Sequence, residues 1–390
     1  MSYTFYAPTR VLFGAGRLND LHTQIMPGKK AMIVISNGKS TRANGALSRT
    51  EEQLRLAGID TVVFDKVEAN PLKSTVEAGV KFAKEAECDF IVALGGGSIM
   101  DAAKVMAMYT LQPGDLWDYV GGSTGKNQPL VNPTLPWIAI TTTAGTGSEV
   151  DQWGVITNPE TNEKIGCGGQ DSLFPAIAVV DAELMLTVPP KFTAYQGFDA
   201  LFHSTEGYIS CVSSPMADMV QLAAIENVGK YLPRAVKDGN DLEAREHVAF
   251  ANTMSGYSMV VGACTSEHSM EHAMSAYHQD LPHGAGLIML SKEYYTHFVN
   301  KHVCDERFIR MAQALGKKDA SDPMDFVAAL TELQKVCGVA DLKMSDYGIV
   351  PDEFDTLARN ARETMGGLFA CDATPMTHEE CVEIFRKSCR

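Results

Sequence analysis

Apolar residues in the first half of the chain fall into short, uninterrupted runs separated by helical periods. Lys30-Ala-Met-Ile-Val-Ile-Ser36 has no polar alternation and stops at Asn37-Gly38. A helical stretch with Leu47, Leu54 and Leu56 follows, then Thr61-Val-Val-Phe-Asp65. A second helical segment, about 72–86, leads into Asp89-Phe-Ile-Val-Ala-Leu94. Trp137-Ile-Ala-Ile140, a segment near Gly154-Val-Ile156 and Ala176-Ile-Ala-Val-Val-Asp181 read as further strands. Such runs suit strands buried on both faces, as in a parallel sheet covered by helices. The β-α-β-α-β alternation predicts a doubly wound α/β domain with right-handed crossovers.

After Val188-Pro189-Pro190 the strand pattern disappears. Helical periods run from about 191 to the end, broken at Leu281-Pro282 and between Lys317 and Pro323. The expected division is an α/β domain over residues 1–185 and an all-α domain over 186–390, with no internal repeat. A length of 390 residues fits two such cores.

Composition narrows the partners. The chain is 45% hydrophobic and 21% charged, and no apolar run approaches the roughly 18 residues that span a bilayer. The start, Met1-Ser-Tyr-Thr-Phe-Tyr-Ala-Pro8, lacks the charged and apolar regions of a secretion signal. A net charge of −15 argues against nucleic acid and anionic membranes as partners, because no basic surplus exists to neutralise phosphates. A small phosphorylated ligand is still admissible, since helix N-termini hold phosphate without net positive charge. Nine cysteines without a C-x-x-C pair read as reduced thiols, and a cytoplasmic protein is expected.

Two loops directly follow buried strands. Gly95-Gly-Gly-Ser98 precedes the helix-like Ile99-Met-Asp-Ala-Ala-Lys104 and reads either as a phosphate-binding turn or as a tight β-α connection. Thr141-Thr-Thr-Ala-Gly-Thr-Gly-Ser-Glu-Val150 offers small hydroxyls and glycines where open α/β sheets bind ligands, or else is an ordinary polar loop. Two such loops in one sheet favour a nucleotide.

The helical half carries a different chemistry. Asp199 and His203 are four residues apart, as are His268 and His272, so on helices each pair projects from one face. His278 and His283 follow closely, the latter in a Pro282-His-Gly284 turn. A carboxylate and several imidazoles from separate helices compose a divalent transition-metal site. Glu206 and Glu271, each three after a candidate histidine, are either partners that orient imidazoles or, by default, solvated helix charges. Met254, Met259, Met270 and Met274 read as core filling.

Together these residues resemble the iron-containing (group III) alcohol dehydrogenases, which include lactaldehyde reductases, 1,3-propanediol dehydrogenases and butanol dehydrogenases. The resemblance runs through Phe5-Tyr-Ala-Pro8, Leu12-Phe-Gly-Ala-Gly16, Glu68-Ala-Asn70-Pro71 and Gly95-Gly-Gly-Ser-Ile-Met-Asp101-Ala-Ala-Lys104. It continues through Thr142-Thr-Ala-Gly-Thr-Gly-Ser-Glu149, Gly197-Phe-Asp-Ala-Leu-Phe-His203 and Pro282-His-Gly284, so it covers nearly the whole chain.

The resemblance implies a dehydroquinate synthase-like fold and metal ligation by Asp199, His203, His268 and His283, with iron usual and zinc an alternative. It implies that Gly96, Gly97, Ser98 and Asp101 hold a pyrophosphate. Asn70, Thr142, Thr143, Thr146 and Lys164 would line the rest of the cofactor cleft, and Ser36 joins that set. His272 matches a histidine close to the substrate that does not bind metal, and a homodimer or higher homo-oligomer is implied.

Three departures from the family pattern stand out. The stretch from His268 to His283 is one residue longer than the commonest spacing, which opens a contest between His268 and His272 as ligand. Asp151 and Trp153 stand where the family often has Thr and Asn near the nicotinamide. The segment Ile35-Ser-Asn-Gly-Lys-Ser40 lacks the acidic residue that repels a 2′-phosphate, so it leans to NADP over NAD.

The expected reaction is hydride transfer between a small primary alcohol, or its aldehyde, and a nicotinamide cofactor. A metal- and NAD-dependent cyclase or polyol dehydrogenase on the same fold, and a non-catalytic metal-binding protein, are the rival readings. The cyclase needs a basic pocket that the histidine-rich segment does not provide.

Overall fold

The computed structural model describes residues 3–389. Eight strands precede the long helices: β1 Arg10–Phe13, β2 Lys30–Ser36, β3 Asp60–Val67, β4 Phe90–Gly95, β5 Trp137–Thr141, β6 Trp153–Asn158, β7 Glu163–Gly168 and β8 Ile177–Val180. Between them lie α1 Ser40–Ala43, α2 Ala46–Leu56, α3 Lys73–Glu85 and α4 Gly97–Tyr109.

Six strands form one sheet in the order β1-β8-β5-β4-β2-β3, with every neighbouring pair parallel. The uninterrupted apolar runs follow from burial on both faces. Met32, Val34, Ile91, Ala93 and Ala139 pack to one side with α3 and α4. Their alternating neighbours Ala31, Ile33, Ile35, Val92, Leu94, Ile138 and Ile140 pack to the other with Leu47 and Leu54 of α2. Each fully buried Val, Leu or Ile side chain contributes about 1.5–3 kcal/mol. Leu56, counted in the helical period of α2, is 50% exposed and stays outside both layers.

Two strands escaped the sequence pattern. β1 has a single buried residue, Leu12, and its Arg10 is exposed, so four residues carry little periodic signal. β7, Glu-Lys-Ile-Gly-Cys-Gly, reads as polar because its buried Glu163 and Lys164 are satisfied by partners distant in sequence or beyond the strand. β6, expected within the main sheet, instead forms a separate antiparallel hairpin with β7.

From Pro190 onward the described residues are helices and connections. The helices are α5 Pro190–Ile209, α6 Pro215–Lys237, α7 Leu242–Val261, α8 Ser266–Tyr277, α9 His283–Asn300, α10 Asp305–Ala314, α11 Met324–Val336, α12 Phe354–Thr364, α13 Gly366–Phe369 and α14 His378–Ser388. Pro190 and Pro215 occupy first-turn positions, where the missing N–H costs nothing. The breaks expected at Leu281-Pro282 and Lys317–Pro323 fall between α8 and α9 and between α10 and α11. α5 and α8 are buried almost all round, α5 from Thr193 to Ile209 with one gap at Gln196. A helix enclosed in this way can carry polar side chains only where they meet partners.

Candidate active site

The chain reverses its direction across the sheet between β2 and β4, the point where open α/β sheets leave a crevice beyond their carboxyl ends. The loops after β2, β3, β4 and β5 meet there. A cavity of about 330 Å³ is bordered by Ser36, Asn70, Gly96, Ser98, Thr143 and Thr146, with Pro282-His283-Gly284 on its far wall. A second cavity of about 300 Å³ shares Asn70, Gly97, Ser98, Thr146 and His283 with the first and continues to His203, His268 and His272. The two form one cleft between the sheet edge and the helices.

The glycines of the first loop have a packing role beside any ligand. A Cβ on Gly96 would stand 2.7 Å from Thr143 Oγ1, and one on Gly97 would collide with Thr146. The two loops are therefore interlocked, with the N-terminus of α4 opening between them. Thr142 spends its N–H on Gly95 O at 2.9 Å, closing the same junction through the backbone. The second loop is anchored in turn to α7. Asn252 Oδ1 accepts from Gly147 N at 2.8 Å, while Glu149 Oε1 accepts from Asn252 and Thr253 at 2.7 and 2.9 Å.

Other residues of the cofactor set have defined neighbours. Asn70, in the left-handed region at φ 53°, donates to Gln279 O and Leu281 O, tying the β3 loop to the turn before His283. Lys164 lines the cavity, yet its ammonium donates to Ser275 Oγ at 2.9 Å and pairs with Glu271 at 3.4 Å. Asp101 accepts from Ser148 Oγ at 2.9 Å, and burial pushes its carboxyl up to about 6. The nearby Lys104 is 1% exposed and grips Asp151 Oδ1 at 2.6 Å, with further bonds to Ser148 and Trp153 O. Asp151, one of the departures, is thus half of a buried ion pair under the cleft floor.

Four side chains converge opposite this floor. Asp199 and His203 come from α5, His268 from α8 and His283 from the first position of α9. Asp199 Oδ1 lies 3.5 Å from both His268 Nε2 and His283 Nε2, and 3.2 Å from His203 Nδ1. The His203 and His268 ring centroids are 4.3 Å apart. A Cβ on Gly145, in the loop after β5, would stand 3.0 Å from Asp199 Oδ2, so the glycine leaves room for the carboxylate.

His268 stands against Asp199, and His272 does not. The ring of His272 is 6.2 Å from that of His268, and its Nδ1 faces Met365 Sδ at 2.8 Å on the cavity wall. His278 has left the cluster altogether and pairs with Glu353 at 3.1 Å.

The default reading of Glu206 and Glu271 as solvated charges is overturned, because both are completely buried. Neither serves the histidine three residues before it. Glu206, on α5, binds Nδ1 of His268 on α8, and Glu271, on α8, binds Nδ1 of His283 on α9. Each carboxylate thereby fixes the tautomer that leaves Nε2 free. His203 is oriented differently, its Nδ1 lying 2.9 Å from the Asp199 backbone carbonyl.

The donor set fits a divalent cation. Asp199 Oδ1 and His268 Nε2 are buried and lack any hydrogen-bond partner among the described residues. Such orphaned polar atoms are costly unless something else satisfies them. Burial resists the Asp199 charge, but His203 and His283 outweigh it and hold the carboxyl well below its usual range. Burial also lowers His203 to about 4, and with Lys164 and His283 holds His272 well below its ordinary value.

Three further residues at the site carried no clear sequence signal. Cys264 and Met259 line the cavity with their sulfurs 3.2 Å apart, so the reading of Met259 as core filling fails. Met270 and Met274 do fill core. Met365 closes the wall beside His272.

A nucleotide-type cleft that opens onto a buried Asp/His donor cluster, between an α/β half and a helical half, defines a class of oxidoreductase. Within that class the family is specific. Residues 8–182 match the iron-containing alcohol dehydrogenase domain and residues 193–389 match the C-terminal domain of the same family. The chain belongs to the iron-containing alcohol dehydrogenase family. It is 32% identical to 1,3-propanediol dehydrogenase of Citrobacter freundii, with 100% of both chains covered. It is 30% identical to NADH-dependent butanol dehydrogenase A of Clostridium acetobutylicum, again over 100% of each. An archaeal halo-thermophilic alcohol dehydrogenase from a Red Sea brine pool superposes with a TM-score of 0.93 at 33% identity, covering 100% of this chain and 99% of that one.

Proposed function

We propose that this protein interconverts a small primary alcohol and its aldehyde with a nicotinamide dinucleotide, using a divalent metal held by Asp199, His203, His268 and His283. The observation that carries the reading is the placement of the orphaned Asp199 Oδ1 and His268 Nε2 at the inner end of a cleft whose outer end is two interlocked glycine–threonine loops. When both groups are bound, the chemistry supplied is Lewis-acid polarisation of the substrate oxygen and hydride exchange at the nicotinamide.

The chain's own residues do the rest. Gly96, Gly97 and Ser98 at the N-terminus of α4 present backbone N–H groups to a pyrophosphate, with Thr143 and Thr146 packed beside them. Asp101 and Lys164 act through neighbours on the cleft walls, and Asn70 positions the turn that carries His283. Thr142 supports the loop junction. His272, neutral and on the cavity wall, is positioned to take or return a proton at a ring nitrogen. Met365 closes the cavity wall beside it.

Iron is the metal in the family's name, and zinc would suit the same donors. The name of a relative supports NADH as a cofactor class. A preference for NADP rests on the β2 segment alone, where Ser36 borders the cleft and exposed Lys39 makes no ion pair among the described residues. The rival cyclase finds no support, since Lys164 on the cavity wall is paired with Glu271 and Lys104 behind it with Asp151. No helix among the described residues is long and apolar enough to cross a membrane. Cytoplasmic residence accords with nine unpaired cysteines. Homodimerisation accords with exposed Tyr3, Phe5 and Tyr6 preceding the edge strand β1.

Metal analysis of anaerobically purified protein, combined with a panel of short aldehydes and NADH or NADPH, tests the proposal. Stoichiometric divalent metal and aldehyde-dependent cofactor oxidation are expected. A metal-free protein that turns over no alcohol or aldehyde would sink it.

A further inference from the structure

The cavity wall that faces the donor cluster holds one side chain with no role in the reading above. Cys264 sits on the short link between α7 and α8, is 2% exposed, and lines the cavity. Its Sγ and ring nitrogens of His203 and His268 all lie within 4.8 Å of one another. Asp199, His268 and His283 form a second group within the same limit, so the two groups share His268. The shared residue carries one orphaned atom, His268 Nε2, and Asp199 Oδ1, the other, belongs to the second group; the two residues are only 3% and 4% exposed. The thiol faces the His268 ring and lies 3.2 Å from Met259 Sδ, also on the cavity wall.

We propose that Cys264 Sγ is a fifth protein donor to the divalent cation held by Asp199 and the three histidines. The inference rests on the metal-site reading. Asp199, with Glu206 and Glu271 behind two of the imidazoles, already offsets the charge of a divalent ion, so Cys264 contributes through its position and the softness of its sulfur. The Sγ–metal bond forms as the S–H bond breaks, and the proton leaves to solvent through the cleft. Sulfur is softer than the nitrogen and oxygen donors, so it biases the site towards thiophilic ions such as Zn²⁺ and Co²⁺. The residue thereby adds a metal-selecting element that the Asp/His set lacks.

Cobalt spectroscopy on the full-length protein tests this without reading activity. Metal is removed with a chelator and Co²⁺ is added to one equivalent. The wild type should show visible ligand-field bands together with a near-ultraviolet sulfur-to-cobalt charge-transfer band. Cys264→Ser should bind Co²⁺ with the same stoichiometry and lose the near-ultraviolet band, and Met259→Leu should keep it. Bound cobalt with no such band in the wild type overturns the proposal, as does a band that survives in Cys264→Ser. Failure of the wild type to bind Co²⁺ at all overturns the metal-site reading and this inference with it.

Discussion

Glu206 closes on Nδ1 of His268, a residue on another helix, and leaves His203, its neighbour one turn back on α5, to the Asp199 carbonyl. The carboxylate is fully buried, and it also accepts from Thr265 N and Oγ1 at 2.8 and 2.9 Å. It therefore welds the start of α8 to α5 while aiming His268 Nε2 at Asp199. Glu206→Gln should keep the fold yet free the ring to adopt the other tautomer. A fall in metal affinity of about 10–100-fold is expected, measured by competition with a coloured chelator.

The two contested histidines should separate cleanly. His268→Ala should abolish stoichiometric metal. His272→Ala should retain it and slow turnover by roughly 10²–10⁴-fold, the range for a lost proton-transfer group. Metal content by mass spectrometry beside steady-state rates decides the matter, and loss of metal from His272→Ala would reverse the assignment.

The interlock of the nucleotide loops predicts an epistatic pair. Gly97→Ala places a methyl against Thr146, and overpacking of this kind costs roughly 1–3 kcal/mol. KM for the dinucleotide should rise. Thr146→Ala in the same chain should restore part of the loss, because the clash lies with that side chain. If the double variant binds cofactor no better than Gly97→Ala, the glycine is needed by the ligand and not by the threonine.

Asp372 gives a pH signature. Its Oδ1 accepts from Ser266 N and Oγ at 3.0 and 2.9 Å, its Oδ2 has no partner, and burial pushes the carboxyl up to about 7 from 3.8. The folded chain thus keeps a proton that the unfolded chain releases. The stability from this group is complete below about pH 4 and is lost as pH rises through about 7. Asp372→Asn mimics the protonated acid. Its Tm should fall less than that of the wild type between mildly acidic and mildly alkaline buffer.

Cofactor choice can be read at Lys39, the exposed residue just before α1. The wild type should favour NADPH over NADH in kcat/KM. Lys39→Glu should shift that ratio towards NADH by about tenfold, equivalent to ~1.4 kcal/mol. A wild-type preference for NADH would remove the NADP reading and leave the rest intact.

The sequence by itself determined the sheet core and brought the candidate donors Asp199, His203, His268, His272 and His283 into view. Runs such as Phe90–Leu94 are apolar because both faces are covered, a local signal that needs no partner. Asp199 and His203 share a face by helical period alone. The tertiary structure decided everything that depends on which helix lies beside which. Glu206 and Glu271 look like surface charges in sequence and are buried beside histidines of neighbouring helices. Lys104 and Asp151, separated by 47 residues, form one ion pair under the cleft. His268 rather than His272 meets Asp199 because α8, packed against α9 and α12, turns only one of two same-face imidazoles to the junction. Periodicity fixes which side chains share a stripe, but the packing angle of the neighbours selects the one that arrives.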